Sequence, residues 1–171
     1  MWAATKLKYL VDADVATLDD ATDPTFEFRY LDIGAVSSGM ITIPDQMVRF
    51  ADAPSRARQV PMPGDVLVST VRTYLRAVAA VPVSDETLVV STGFAVLRAG
   101  PRLDGGFLEY ACQAESFVEA VGAASTGVSY PAISTARLLS LALRHPADLD
   151  EQSAIADYLD HETARIDELI D

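Results

Sequence analysis

The side chains with most chemistry to offer gather in one stretch of the chain. Between Arg49 and Arg76 stand five arginines (Arg49, Arg56, Arg58, Arg72 and Arg76) against two acids, Asp52 and Asp65. That segment carries +3 in a chain of formal net charge −12, which leaves −15 for the remainder. A guanidinium is planar, permanently charged and forked, so it holds anionic oxygens two at a time. A cationic island in an anionic protein points to a surface facing something negative. On a solvated loop the same arginines would instead lie along the surface with their heads in water.

Other chemistry lacks its patterns. No G-x-x-x-x-G-K-[ST] loop occurs, and the two lysines, Lys6 and Lys8, are both near the N-terminus. No G-x-S-x-G elbow is present. His145 and His161 have no metal-ligand spacing with Cys112; His145, before Pro146, reads as a turn residue and His161 as a solvated helix position. "DPTF" (23–26) is a partial match to the D-P-P-[YFW] strand of amino-methyltransferases, but it lacks the second proline and only 22 residues precede it. Cys112, the single cysteine, excludes an internal disulfide; it reads as a small buried thiol and places the protein in the cytoplasm. No apolar run approaches the ~20 residues that cross a bilayer, and "MWAATKLKYL" lacks a signal-peptide core, so no membrane association is expected.

The elements that must position the arginines follow from periodicity. With 50% hydrophobic and 22% charged residues, 171 residues suffice for one packed domain. "FEFRYLDIGAV" (26–36) reads as a strand, and Gly39 turns the chain into a second, "MITIP". Weak periodicity and three prolines make 45–63 a long exposed loop, of the length that tends to be functional. A Pro-Gly-Asp turn feeds the strand "PGDVLVSTV" (63–71); "LRAVAAVPV" is another, and "TLVVSTGFAVLRA" a last one long enough to cross a sheet. The period becomes helical over 106–124, with a break near Gln113 to Glu115, and an apolar strand "LLSLALRHP" follows the turn "STGVSYP". Asp148 and Glu151 have capping-box spacing after Pro146 and open a helix whose Ile155, Leu159, Ile166, Leu169 and Ile170 form one apolar stripe. Such a stripe packs on its own domain or pairs with another helix.

Taken in order, "YLDIGAV", "DAPSRARQVPMPGDVLVSTVRTYLRAVA", "STGFAVLR", "STGVSYPAI" and "DEQSAIADYLDHETARIDELI" resemble the specificity subunits of type I restriction-modification systems, over nearly the whole chain. The helix motif E-Q-x-x-I-x-x-[YF]-L-D at Glu151 to Asp160 is the most specific part. The resemblance implies a DNA target-recognition domain over 1–146 and the start of a dimerisation or spacer helix over 147–171. It also implies double-stranded DNA, a modification (methyltransferase) subunit and a restriction subunit as partners. S-adenosylmethionine would lie on the methyltransferase and no cofactor on this chain, a non-catalytic selector of sequence. Full members carry two recognition domains and two such helices, whereas this sequence has room for one of each. The other half is therefore a second copy or a second recognition domain.

Within that frame the arginines read bases or hold phosphates, since guanidinium matches guanine O6 and N7 and also phosphate oxygens. Ser55, Arg56, Arg58 and Gln59 sit on the expected loop, Gln59 as the adenine reader in a chain without asparagine. Arg72, Thr73, Tyr74 and Arg76 lie at the next turn, at the same sheet edge, and Ser125, Thr126, Ser129 and Tyr130 on a second loop. Arg72 and Arg76 have a structural alternative, pairing with Asp65. The fold expected is α/β: a mixed, largely antiparallel curved β-sheet with peripheral helices and a C-terminal helix for coiled-coil pairing. Two rivals stand beside this reading. An acidic DNA mimic or anti-restriction factor would spread carboxylates over a DNA-like surface, against which the arginine island argues. A small stand-alone enzyme would need a convergent catalytic set.

Overall fold

A computed structural model describes residues 1–170. In chain order its longer elements are β1 (Trp2–Lys6), β2 (Glu27–Leu31), β3 (Ala57–Val60), β4 (Val66–Ser69), β5 (Val78–Ala80), β6 (Leu88–Ser91) and β7 (Phe94–Ala99). Then come α1 (Gly105–Gln113), α2 (Glu115–Ala124), α3 (Thr135–Leu139), β8 (Ala142–Pro146) and α4 (Leu149–Ile170). The main sheets have the orders β5-β4-β7-(Val11–Asp12) and (Ala16–Thr17)-β3-β6-β2-(Val48–Arg49). Only β6 and β2 pair in parallel, Leu88 opposite Arg29; the other ladders are antiparallel, including β1 on β8 with Trp2 opposite Pro146. The expected mixed, mostly antiparallel α/β architecture is thus present, divided among several sheets.

β4, β5 and β7 are apolar at consecutive positions because both their faces are covered. Val66, Val68, Val78, Ala95 and Leu97 face a core with Leu108, Cys112 and Phe117 of the helices. The alternate residues Leu67, Ala77, Ala79, Phe94 and Val96 face a second core with Leu31, Leu88 and Val90. Helices, one sheet and then the other therefore form successive layers. Cys112 is buried as expected, and burial pushes its thiol up to about 12, with nearby Glu109 adding to the effect.

Five local expectations need correction. The strand expected as "LLSLALRHP" begins only at Ala142, because Ser134 accepts from the Arg137 N–H and caps a short helix that takes Leu138 and Leu139. The strand expected over 26–36 ends at Leu31, because the Asp32 side chain accepts from the Ala35 N–H (3.1 Å) and caps a 3₁₀ turn. The long loop expected over 45–63 contains β3, whose Ala57 is fully buried; its ladder to β6 holds the strand although Arg58 and Gln59 are polar. "TLVVSTGFAVLRA" is two strands in different sheets, bent at Thr92–Gly93, where a Cβ on Gly93 would lie 3.2 Å from Ile33 Cδ1 and Val71 Cγ2. His145 is a buried residue of β8, its ring nitrogens 3.0 Å from Thr5 Oγ1 and 2.7 Å from the Pro146 carbonyl.

Asp148 caps α4 by accepting from the N–H groups of Asp150 (2.7 Å) and Glu151 (3.2 Å). One turn on, the buried Gln152 amide accepts from Asp104 N (2.8 Å) and donates to the carbonyls of Arg102 (3.2 Å) and Pro146 (2.8 Å). Ala156 packs beside Gly106 of α1, and Tyr110 donates to Asp160 (2.6 Å). The first half of α4 is therefore part of the domain. The second half projects from it, with Ile166, Leu169 and Ile170 exposed.

Candidate nucleic-acid interface

The chain leaves β4 through a turn built on two left-handed arginines. Arg72 (φ 49°) and Arg76 (φ 52°) bracket a 3₁₀ turn at Thr73–Leu75, a backbone uncommon for residues with a Cβ. The partly buried Thr73 and Ser125 hydroxyls meet at 3.1 Å, and Ser125 donates onward to the Val121 carbonyl (2.7 Å). Arg76 makes a two-bond clamp with Glu115 (2.7 and 2.8 Å). Hydrogen bonding to Arg76 holds the Glu115 carboxyl below its ordinary range, and the same clamp raises the guanidinium. Arg72 instead lies over the ring of Tyr130, 5.2 Å from its centroid, a cation–π contact that orients the cation without neutralising it.

Residues 125–133 form the second wall of this rim. Thr126 and Ala132 exchange main-chain hydrogen bonds of 2.8 and 2.9 Å, Val71 bridges to Ala132, and Ile133 N donates to Thr70 O (2.9 Å). Gly127 has φ +104°, and a Cβ there would stand 2.9 Å from the Tyr130 carbonyl oxygen. Only glycine permits this turn. Val128, Ser129 and Tyr130 project at its tip, all exposed.

The bend at Thr92–Gly93 ties in the third segment. Thr92 N donates to the Arg56 carbonyl (2.9 Å), while the Gly93 carbonyl accepts from Thr70 N and Thr70 Oγ1 (both 2.9 Å). Exposed Ser55 and Arg56 thereby join the edge that carries Arg72, Thr73, Tyr74, Arg76, Thr126, Ser129 and Tyr130. Arg58 and Gln59 are directed elsewhere. Arg58 lies 3.6 Å from Asp20 and stacks on Phe50 (4.8 Å), and the Gln59 amide donates to the carbonyls of Ser91 (2.8 Å) and Phe94 (3.0 Å). Gln59 bridges the corner between the two sheets and has no amide hydrogen left to offer a base. Asp65, suggested as a partner for Arg72 or Arg76, is buried under a two-bond contact from Arg98 (2.8 and 2.9 Å). Arg49 pairs with Asp52 (3.1 Å), so among the described residues Arg56 and Arg72 are the island's two arginines with no carboxylate within 4.0 Å. Sequence reasoning passed over Val128, whose only signal is a valine between Gly127 and Ser129 in a polar turn.

An open apolar groove of about 710 Å³ runs between β1, β8, α1, the start of α2 and α4, lined by Trp2, Phe107, Tyr110, Ile155 and Leu159 among others. Among the described residues no group of three His, Cys, Asp or Glu side chains converges as metal ligands would. No described helix is long and apolar enough to cross a membrane.

No protein-family model and no curated protein sequence matches the chain. Solved structures do. The HsdS subunit from Thermoanaerobacter tengcongensis superposes with a TM-score of 0.82 at 28% identity, over 98% of this chain and 43% of that one. A chain from a structure concerned with complex assembly and conformational transition of the type I R-M system gives 0.83 at 26%, over 98% and 44%. The type I restriction-modification S subunit from M. genitalium shares the fold (0.65, 20% identity, 99% and 41%). The chain spans less than half the length of these structures. In fold, and at 28% identity to the HsdS subunit, the chain is similar to type I specificity subunits.

Proposed function

We propose that this chain, which has the fold of the type I specificity subunits, recognises DNA sequence for a type I restriction-modification complex, as a half-subunit or as half of a longer subunit. Partner subunits carry out adenine methylation and restriction, and S-adenosylmethionine belongs to the methyltransferase among them. The observation that carries this reading is the rim: main-chain hydrogen bonds tie together the segments that bear Arg56, Arg72 and Tyr130, and among the described residues neither Arg56 nor Arg72 has a carboxylate within 4.0 Å.

The chemistry of that rim suits a duplex. Arg72 is oriented by Tyr130 and by a fixed backbone, so little freedom is lost when it meets a guanine edge or a phosphate. Arg76 and Glu115 brace the turn from behind. An anionic mimic is disfavoured by these uncovered cations. The net charge of −12 repels phosphates at long range, so the isolated chain binds weakly and the partner subunits supply much of the electrostatic affinity. The projecting half of α4 joins the recognition unit to its other half and to the modification subunit, inside the cytoplasm.

Methylation mapping tests this directly. The chain is co-expressed with its modification subunit in cells lacking other adenine methylation, and the DNA is sequenced for methyladenine. Methylation at a split, inverted-repeat motif is the outcome for two copies acting together. Failure of the two proteins to associate would overturn the reading.

A further inference from the structure

Val128 is the most exposed apolar side chain of the rim (102%), and nothing among the described residues covers it. Single exposed valines are ordinary on protein surfaces. This one stands at the tip of a turn fixed on both sides. Thr126 and Ala132 close its base with two hydrogen bonds, Gly127 holds a backbone that a Cβ would forbid, and Val71 and Thr70 attach it to the sheet. β-Branching leaves the valine few rotamers, so its two methyl groups are presented in a nearly fixed position. Its loop neighbour Tyr130 carries the Arg72 guanidinium.

Resting on the recognition reading above, the geometry points to Val128 as a specificity-determining residue that contacts the C5-methyl group of a thymine in the major groove. Among the four unmodified bases thymine alone carries a methyl group on its major-groove edge, and small apolar side chains read it by contact. Side chains that wedge between base steps do so from the minor groove, and they include phenylalanine, leucine, isoleucine, methionine and the rigid ring of proline. Valine presents methyl groups of the kind that alanine and threonine use against the thymine methyl. Arg72 would then supply the polar part of the same reading head and Val128 the apolar part.

The test uses the full chain with its modification subunit and a duplex carrying the sequence that the complex methylates. Each thymine is replaced singly by deoxyuridine, which removes only the C5-methyl group, and binding is measured for the wild type and for Val128→Ser. One methyl contact is worth about fourfold in affinity. The wild type should lose that factor at one thymine. Val128→Ser should bind the all-thymine duplex correspondingly less tightly and be indifferent to deoxyuridine at that same position. Val128→Thr, which keeps one methyl group, should retain part of the discrimination. Equal discrimination by the wild type and Val128→Ser at every thymine would overturn the inference and leave the recognition reading standing. A complex that methylates no defined sequence would overturn both.

Discussion

Arg72 and Arg76 share a turn and a left-handed backbone, yet one guanidinium is clamped by a carboxylate and the other rests on an aromatic ring. Their substitutions should therefore differ. Arg72→Ala is expected to cost roughly 1–3 kcal/mol of binding if it reads a base, with relaxed preference at one position; uniform loss across sequences would identify a phosphate contact. Competition binding against single-base variants of the methylated site distinguishes the two. Arg56→Ala is the companion measurement, and no change in either variant would remove the rim from consideration. Cys112 makes a separate prediction. Its thiol is pushed from 9.0 to about 12 in the fold, so the native state keeps a proton that the unfolded chain releases. The resulting stability is complete below pH 9 and is lost as pH rises from there toward 12, by up to roughly 1.4 kcal/mol per pH unit. Urea titrations at pH 8, 9 and 10 should show this decline in the wild type and a weaker one in Cys112→Ala.

Among the elements, α4 divides into a half packed on the domain and a half exposed. Its first half is tied to the domain by Gln152, whose buried amide serves three main-chain groups from the approach to α1 and the end of β8. The glutamine of the E-Q-x-x-I motif is thus a structural hydrogen-bond hub. Gln152→Leu keeps a bulky side chain but strands those groups, and should cost about 3 kcal/mol in urea denaturation. A loss under ~1 kcal/mol would mean that water replaces the amide. The rim depends equally on elements that meet only in the fold. Main-chain bonds from Thr92 to Arg56, Gly93 to Thr70 and Thr70 to Ile133 bring together segments nearly 80 residues apart in sequence.

In the whole molecule, acidic residues concentrate in the C-terminal helix, whereas the uncovered arginines lie on the sheet connections. Nine of the carboxylates lie between Asp148 and Asp171, whereas Arg56 precedes β3 and Arg72 follows β4. Because α4 is 22 residues long, it extends about 33 Å, and its exposed Ile166, Leu169 and Ile170 suit pairing with another helix. Ile166→Glu with Leu169→Glu should leave the thermal transition of the domain within a few degrees, since both side chains are exposed. The same pair should reduce the assembled mass measured by light scattering in the presence of the modification subunit. An unchanged mass would show that assembly uses other surfaces.

Several features follow from local pattern alone: the buried Cys112 helix, the break at Ala114, the Asp148 cap, the Gly64 turn into β4 and the ordered motifs that link the chain to type I specificity subunits. Each depends on neighbours within a few turns, so its signal lies in short stretches of sequence. Only tertiary structure decided which arginines remain uncovered. Arg58 and Gln59 look like Arg56 in a polar, proline-flanked stretch, but a ladder to β6 makes that stretch a strand and directs them to Asp20, Phe50, Ser91 and Phe94. Arg76 is taken by Glu115, 39 positions away, while Arg72 meets Tyr130. Ion pairs and stacking operate over a few ångströms in space, and that proximity is set by strand register and the bend at Gly93 rather than by spacing along the chain.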